Sequence, residues 1–201
     1  KKRHGLPILQ PEQEARQQKL LEGILEGNPY EEELLEVFSC ILRMSKKVQA
    51  KALFAHNIAL IGFMGAGKST VSHCLKDMLS MEEVETDAMV VEAEGMAITD
   101  IFAKYGEPYF RNCESNAIIE LQNRRQVIIS CGGGAVMRDE NVENLKKSSR
   151  IVLLTATPET TLERVKDSDE RPILNGHMNV EYISELMEKR RPFYEKAATL
   201  T

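Results

Sequence analysis

Apolar residues follow two different patterns along this chain. Continuous apolar runs at 57–61, 127–130 and 150–154 predict buried strands. Between and after these runs, apolar residues recur every three or four positions, which predicts helices. Strands that alternate with helices are typical of α/β domains with a parallel sheet. We therefore predict an α/β fold for residues 56–201, with three αβα layers around a central parallel sheet.

The first 55 residues contain helical patterns and no strand pattern. A helix is predicted from Pro11 to a stop at Gly27-Asn28-Pro29, and a longer one from Tyr30 to about Leu53. One broad apolar stripe marks the second helix: Leu34, Val37, Phe38, Ile41, Leu42, Met44 and Val48. Two helices cannot bury such stripes alone. This all-α segment therefore requires a third helix, the following domain or another subunit.

The turn after the first strand carries the clearest chemical motif. Gly62-Phe63-Met64-Gly65-Ala66-Gly67-Lys68-Ser69-Thr70 fits G-x-x-x-x-G-K-[ST] and lies between a predicted strand and the helix predicted at 71–79. Its glycines allow backbone N–H groups to converge on an anion, and the helix N-terminus adds its dipole. Lys68 would contact the β/γ-phosphates of a nucleotide, and the Ser69 hydroxyl can ligate Mg²⁺.

Three later stretches offer groups to the same edge of the sheet. Val84-Glu85-Thr86-Asp87 is predicted as a short strand on which Glu85 and Asp87 can both point to the side of the phosphate loop, with solvated loop acids as the alternative. Glu107-Pro108 begins a predicted helix whose first turns contain Arg111. Gly132-Gly133-Gly134 follows a buried strand, and three glycines there permit close approach of backbone to a ligand.

Four more helices and one lid complete the predicted organisation. The helices cover 98–105, 139–147, 158–165 and 180–195. Gly106 ends the first of them, and Thr157 caps the third. Pro192 is expected to kink or end the last one. The polar stretch near 167–178 combines Pro and Gly with mixed charges, so we predict a mobile lid there.

Composition narrows the classes of partner. A net charge of -5 argues against a general nucleic-acid binder. The four cysteines are widely spaced, which indicates neither a zinc site nor a disulfide framework and suits a reducing cytoplasm. No stretch has the roughly 20 apolar residues of a membrane span, and no secretory signal is visible. The chain begins at Lys1 rather than Met, so we expect it to be part of a longer one.

Residues 57–201 resemble the shikimate kinases, which are P-loop enzymes of the nucleoside-monophosphate-kinase-like group. The resemblance rests on several separate motifs in the family's order: Gly65 to Thr70, Thr86-Asp87, Gly106-Glu107-x-x-Phe110-Arg111, Gly132-Gly133-Gly134, Arg171-Pro172 and Arg190-x-Pro192-x-Tyr194. It implies a monomeric kinase that transfers the γ-phosphoryl group of ATP to the 3-hydroxyl of shikimate, with Mg²⁺ and without nucleic acid or membrane.

The resemblance also implies a role for each matching residue. Gly65, Ala66, Gly67, Lys68, Ser69 and Thr70 would bind the ATP phosphates, with Mg²⁺ at Ser69 and Glu85 as its outer partner. Asp87 would bind shikimate and accept the proton of its 3-hydroxyl. Arg111 and Arg190 would clamp the shikimate carboxylate, since guanidinium groups pair with carboxylates in a bidentate way. Gly132, Gly133 and Gly134 would contact the substrate. Arg164 would flank the adenine, and Arg171 would stabilise the transferring phosphoryl group.

The N-terminal segment resembles part of the all-helical chorismate mutases. The similarity rests on Lys1, Leu6-Pro7-Ile8, Glu14 and Phe38-x-x-Ile41-x-x-x-Ser45-x-x-x-Gln49. It implies that Lys1, Glu14, Ser45 and Gln49 surround a dicarboxylate. The family's arginine-bearing first helix is not within this sequence, so a helical remnant that packs or dimerises is an equal alternative.

Two departures from the kinase pattern keep other functions open. Glu85 stands where shikimate kinases usually have aspartate, and family members continue beyond Thr201 with another strand, an adenine-contacting turn and a helix. The alternatives are a bifunctional protein with added chorismate mutase activity, and a P-loop binding or assembly module with weak kinase activity.

Overall fold

The structure is a computed structural model that describes residues 11–53, 55–166 and 179–200. These residues fall into two compact units. One unit contains the N-terminal helices together with Leu75–Met81, and the other contains His56–Cys74 and the described residues from Glu82 onward. Lys1 and the predicted lid near 167–178 lie outside the described residues.

The N-terminal unit contains the two predicted helices, α1 (Pro11–Leu25) and α2 (Glu31–Leu53). The turn between them is stabilised locally, because the Tyr30 N–H donates to the Asn28 side chain at 2.9 Å. Glu14 and Lys46 join the two helices by an ion pair of 2.7 Å. The predicted helical segment is therefore an α-helical hairpin.

The larger unit is built on a parallel sheet of four strands. They are β1 (Asn57–Ile61), β2 (Glu82–Glu85), β3 (Val127–Ser130) and β4 (Ser149–Leu153), in the order β2-β3-β1-β4. The chain changes direction within the sheet after β2, so right-handed connections place helices on both faces. This architecture confirms the predicted α/β fold with a central parallel sheet, preceded by two helices.

Seven helices connect and flank the strands in the described part of the chain. They are α3 (Lys68–Leu79), α4 (Thr86–Glu94), α5 (Ile98–Tyr105), α6 (Glu107–Leu121), α7 (Asp139–Ser148), α8 (Pro158–Val165) and α9 (Val180–Ala197). A single 3₁₀ turn, Ala135–Met137, follows the triple glycine. As predicted, Gly106 ends α5, and the Thr157 hydroxyl caps α8 by accepting from the Thr160 N–H at 3.2 Å.

The strands form the centre of the main hydrophobic core. Ala59, Ile129 and Ile151, from three adjacent strands, are fully buried in one cluster with residues of α6, α7 and α9. This packing fixes the carboxyl ends of the strands at one edge of the sheet, where the loops after β1, β2 and β3 begin. Among the described helices, none is long and apolar enough to cross a membrane.

One local prediction was wrong, and one of the two alternatives for Pro192 is excluded. The strand expected at 84–87 ends at Glu85, and Asp87 lies in the first turn of α4. Thr86 is fully buried and its hydroxyl accepts from the Gly132 N–H at 2.8 Å, so a tertiary contact holds the chain where it turns into the helix. Pro192 does not end α9, which continues to Ala197. The buried side chains of Tyr194 and Ala197 hold this last turn in the core.

Candidate active site

A cavity of about 770 Å³ opens at the carboxyl ends of β1, β2 and β3. This is the edge at which open α/β sheets bind their ligands. Its lining brings together residues that are far apart in sequence, and these include most of the predicted site: Gly65, Gly67, Lys68, Ser69, Thr70, Glu85, Asp87, Arg111, Gly132, Gly133, Gly134, Arg164 and Arg190.

The phosphate loop requires glycine for steric and conformational reasons. Gly62, Gly65 and Gly67 all have positive φ angles, of 142°, 75° and 94°. A Cβ atom on Gly62 would lie 2.2 Å from the carbonyl oxygen of Leu154. The phosphate loop can therefore adopt this path between β1 and α3 only if residue 62 is glycine.

Two cations are attached to the phosphate loop. The Lys68 ammonium donates to the carbonyl oxygens of Gly62 and Phe63, both at 3.0 Å. Arg164 in α8 donates from Nη1 to the Gly65 carbonyl at 2.8 Å. Positive charge is thus concentrated beside the N-terminus of α3, which favours a bound polyphosphate.

Arg111 is held in a nearly buried position by two carboxylates on its own helix. Its Nη1 donates to Glu114 at 2.8 Å, while Nε and Nη2 donate to Glu107 at 3.1 and 3.0 Å. The guanidinium carbon lies 5.2 Å from the centre of the Phe110 ring. Burial opposes the charge of Arg111, but Glu114 and Glu107 outweigh it and raise the pKa of the guanidinium.

Glu114 is a fully buried carboxyl group between Arg111 and Asp87. Burial raises its pKa, the charge of Arg111 opposes the rise, and the charge of Asp87 adds to it. Its Oε1 atom is buried without a hydrogen-bond partner among the described residues. Such an atom costs free energy unless a ligand or water satisfies it, which is typical of binding sites.

The triple glycine makes room for these charged groups. A Cβ atom on Gly132 would lie 2.4 Å from Oε1 of Glu114 and 2.5 Å from Oδ1 of Asp87. A Cβ atom on Gly134 would lie 2.4 Å from the guanidinium carbon of Arg111. Any side chain at these two positions would displace the acids or the arginine from the cavity.

Arg190 lines the cavity from α9. Its guanidinium carbon lies 5.8 Å from the centre of the Phe63 ring, and its Nη1 atom is buried without a hydrogen-bond partner in the described part of the chain. One turn later on α9, the Tyr194 hydroxyl donates to the carbonyl oxygen of Gly133 at 2.5 Å. The cavity thus brings the guanidinium groups of Arg111 and Arg190 together with the phosphate loop.

The family model for "Shikimate kinase" matches residues 64–201. This range includes Gly65 to Thr70 of the phosphate loop and every other residue that lines the cavity. The chain belongs to the shikimate kinase family. It is therefore an ATP-dependent phosphotransferase, and the kinase prediction is confirmed.

Relatives and solved structures agree with this assignment. The shikimate kinase of Thermodesulfovibrio yellowstonii is 42% identical over 141 residues, which cover 70% of this chain and 82% of the relative. That of Geobacter metallireducens is 40% identical over 141 residues, with 70% and 79% covered. The structure of shikimate kinase from Acinetobacter baumannii in complex with shikimate is 34% identical, has a TM-score of 0.72, and matches 76% of this chain and 86% of that one.

Some predicted site residues lie elsewhere or beyond the described residues. Ala66 belongs to the phosphate loop but does not line the cavity of this kinase, and its N–H donates to the Phe63 carbonyl at 3.2 Å. Arg171 lies outside the described residues, and so does Lys1. The matched family range begins at residue 64, so α1 and α2 are outside it, and their resemblance to chorismate mutases stays a prediction.

The three other residues of that resemblance are on the N-terminal hairpin. Glu14 is paired with Lys46, and Gln49 Nε2 donates to the Ser45 hydroxyl at 2.9 Å. Ser45 and Gln49 therefore share one face of α2, as their spacing predicted.

Sequence reasoning assigned no role to two further residues, Glu114 and Tyr194, although Tyr194 closes the motif Arg190-x-Pro192-x-Tyr194. Glu114 stands three positions after Arg111 in a predicted helix, and this spacing brings opposite charges together. Tyr194 stands four positions after Arg190 and so lies on the same helix face. Both signals were present in the sequence, but neither spacing reveals that the side chain is buried beside the substrate cavity.

Proposed function

We propose that this kinase transfers the γ-phosphoryl group of ATP to the 3-hydroxyl of shikimate. The observation that carries the proposal is the pair of guanidinium groups, the buried one of Arg111 and the half-buried one of Arg190, in the same cavity as the phosphate loop and Asp87. A carboxylated polyol has a carboxylate for the two arginines and hydroxyl groups for Asp87, one of which can accept the phosphoryl group from a nucleotide on the phosphate loop. The Acinetobacter baumannii relative was solved in complex with shikimate, which supports that substrate.

The nucleotide phosphates occupy the phosphate-loop end of the cavity. Backbone N–H groups of residues 65–70 and the α3 N-terminus bind them, and Lys68 exchanges its carbonyl contacts for phosphate oxygens. Arg164 stays beside the loop and contacts the adenosine part. Ser69 and Glu85 present oxygen atoms to the cavity, which are the ligands that Mg²⁺ prefers. When bound there with ATP, Mg²⁺ would neutralise part of the phosphate charge.

Shikimate occupies the other end, with its carboxylate between Arg111 and Arg190. Arg111 retains N–H groups for the substrate after bonding Glu107 and Glu114, since a guanidinium has five. The Gly132-Gly133-Gly134 backbone lies against the sugar-like ring, because these residues present no side chain to the cavity. Asp87 accepts hydrogen bonds from the hydroxyl groups that face it.

The transfer step requires one proton acceptor and charge stabilisation. The 3-hydroxyl oxygen forms a bond to the γ-phosphorus while the bond from that phosphorus to the β–γ bridging oxygen breaks, which releases ADP. The hydroxyl proton passes to Asp87. Lys68 and Arg171 stabilise the charge on the transferring group, and positioning supplies most of the remaining acceleration.

Product analysis tests this function directly. The purified chain is incubated with ATP, Mg²⁺ and shikimate, ADP release is followed by a coupled assay, and the product is identified by ³¹P NMR. We expect shikimate-dependent ADP release and a single phosphate monoester on the 3-oxygen. Nucleotide binding without shikimate-dependent turnover would instead favour a P-loop binding module. If gluconate were turned over as fast as shikimate, the proposed preference for a carboxylated cyclic polyol would be wrong.

A further inference from the structure

The N-terminal hairpin exposes a regular line of large apolar side chains. Tyr30, Leu34, Val37, Ile41, Met44 and Val48 are each between 41% and 66% exposed. Their spacing is 4-3-4-3-4, which is the a/d pattern of a coiled-coil heptad repeat. We call these six residues the α2 seam; Tyr30 precedes the helix by one residue, and its carbonyl accepts from the Leu34 N–H at 3.0 Å.

A different face of α2 is directed at α1. Lys46 forms its ion pair with Glu14 of α1, and the neighbours of Lys46 one turn away, Leu42 and Ala50, are half-buried and buried. The hairpin therefore satisfies one apolar face of α2 internally, and the seam is a second face. Helices that pack along one another have apolar residues with a period of 3.5. A helix face that meets only water has no need of this period, so the seam indicates a partner helix.

Charge is distributed unevenly along α2. Glu31, Glu32, Glu33 and Glu36 lie in its first half, and Arg43, Lys46 and Lys47 lie in its second half. Glu33 and Lys47 border the seam on the same edge, and Cys40 lies midway between them, seven residues from each. An identical helix aligned in the opposite direction would place every acidic segment against a basic one.

We propose that the α2 seam binds the α2 seam of a second copy of this chain, antiparallel, about a two-fold axis that passes between Val37 and Ile41, beside Cys40. In this register Tyr30 packs on residue 48 of the partner copy, Leu34 on residue 44 and Val37 on residue 41. By symmetry, residues 48, 44 and 41 of the first copy pack on residues 30, 34 and 37 of the second. Glu33 of each copy faces Lys47 of the other. A two-fold contact of this kind is isologous and closes after two subunits.

The alternative parallel alignment is disfavoured by the same charges. It would place the four glutamates of one helix beside those of the other, and likewise the basic residues, so like charges would repel along its whole length. The seam spans one helix of 23 residues, roughly 35 Å long. A contact of this length is at the small end of stable interfaces, so the dimer is reversible and depends on concentration.

A charge-swap cycle tests both the contact and its direction. Sedimentation equilibrium of the full chain is measured for wild type, Glu33→Lys, Lys47→Glu and the double variant. We expect each single change to weaken dimerisation roughly tenfold, because two symmetric attractive pairs become repulsive. The double variant restores the wild-type value to within about threefold. A monomeric wild-type chain at roughly 100 μM would overturn the proposal, as would a double variant weaker than both single ones.

A second comparison separates dimerisation from folding. Ile41→Glu removes the central apolar layer and should yield a monomer that keeps wild-type thermal unfolding and kinase turnover, since Ile41 is 59% exposed. The matched control is Ile119→Glu, which alters an isoleucine of α6 that is 43% exposed. If Ile41→Glu remains a dimer, the seam is not the interface.

Cys40 provides a geometric check on the axis. Its thiol is free and exposed, as is that of Cys74, whereas Cys131 is buried. In a Cys74→Ser chain, a short bis-maleimide should join two copies, and adding Cys40→Ser should abolish the product. Equal cross-linking without Cys40 would contradict an axis beside that residue.

Discussion

The hydroxyl group of Tyr194 donates a hydrogen bond of 2.5 Å to the carbonyl oxygen of Gly133. This bond joins α9, which carries Arg190, to the glycine loop that follows β3. Because the carbonyl is held on the Tyr194 side, the peptide units of the loop keep one orientation towards the cavity. Burial raises the pKa of Tyr194, opposed by the charge of Arg190, so the hydroxyl remains a donor at neutral pH.

Replacement of Tyr194 by Phe should therefore weaken substrate binding. The change leaves the Gly133 carbonyl without its donor, and we expect KM for shikimate to rise about tenfold with a loss of about 1–2 kcal/mol in unfolding free energy. Steady-state kinetics and urea unfolding measure the two effects. Tyr109→Phe is the control, because its hydroxyl donates to Glu94, and neither residue lines the cavity. Equal KM values for wild type and Tyr194→Phe would show that the loop orientation does not depend on this bond.

The buried Glu114 should make stability depend on pH. Its folded-state pKa lies above the ordinary value of 4.5, so the folded chain binds more protons than the unfolded chain in the range above that value. The unfolding free energy of wild type, measured relative to Glu114→Gln, should consequently fall as the pH rises from about 4.5 towards neutrality. Chemical denaturation at several pH values measures this difference. Glu107→Gln removes the exposed partner of Arg111, and its difference in unfolding free energy from wild type should not change with pH. If the difference between wild type and Glu114→Gln were also constant with pH, the raised pKa of Glu114 would be contradicted.

A methyl group on Gly134 should displace the guanidinium group of Arg111 from its position in the cavity. The added Cβ would lie 2.4 Å from the guanidinium carbon of Arg111, which is held by two carboxylates and cannot move freely. We expect Gly134→Ala to lower kcat/KM for shikimate by roughly 100-fold, since displacements of about 1 Å have costs of that size. Nucleotide affinity should change little. Gly23→Ala is the matched change at a glycine with no atom within 4 Å of the added carbon.

The fold was predictable from the sequence where short-range patterns suffice. The limits of β1 and β3 follow from apolar runs that end at glycine loops, and the start of α6 follows from Glu107-Pro108. Asp87 was misplaced because its helix begins where Thr86 bonds Gly132, a contact between residues 46 positions apart. Pro192 does not end its helix for a similar reason, since tertiary packing of Tyr194 overrides the intrinsic preference of proline.

The candidate site shows the same division. Lys68, Arg111 and Arg190 were recognisable from motifs that combine residue type with spacing. The burial of Glu114 was not, because an Arg–Glu pair three apart on a helix is usually exposed, and only the packing of α6 beneath the glycine loop makes it internal.

Loss of a phosphoryl-stabilising cation should affect turnover more than folding. We expect Arg171→Ala to reduce kcat by roughly 1000-fold or more while ATP binding is retained, the range for an arginine that stabilises a transferring phosphoryl group. Single-turnover kinetics and nucleotide titration separate the two steps. Lys166→Ala alters an exposed cation that does not line the cavity and should leave kcat unchanged. Near wild-type kcat in Arg171→Ala would remove this residue from the mechanism.

The central claim is that Arg111 and Arg190 recognise the carboxylate of the acceptor. It is tested most directly by kcat/KM for shikimate and for its methyl ester, in wild type and in Arg190→Ala, with Arg191→Ala as the neighbouring control. We predict that wild type prefers shikimate by at least roughly 100-fold, and that Arg190→Ala loses this preference because only the reaction with the charged substrate slows. If wild type used both substrates equally, or if Arg190→Ala slowed both by the same factor, the carboxylate clamp would be contradicted.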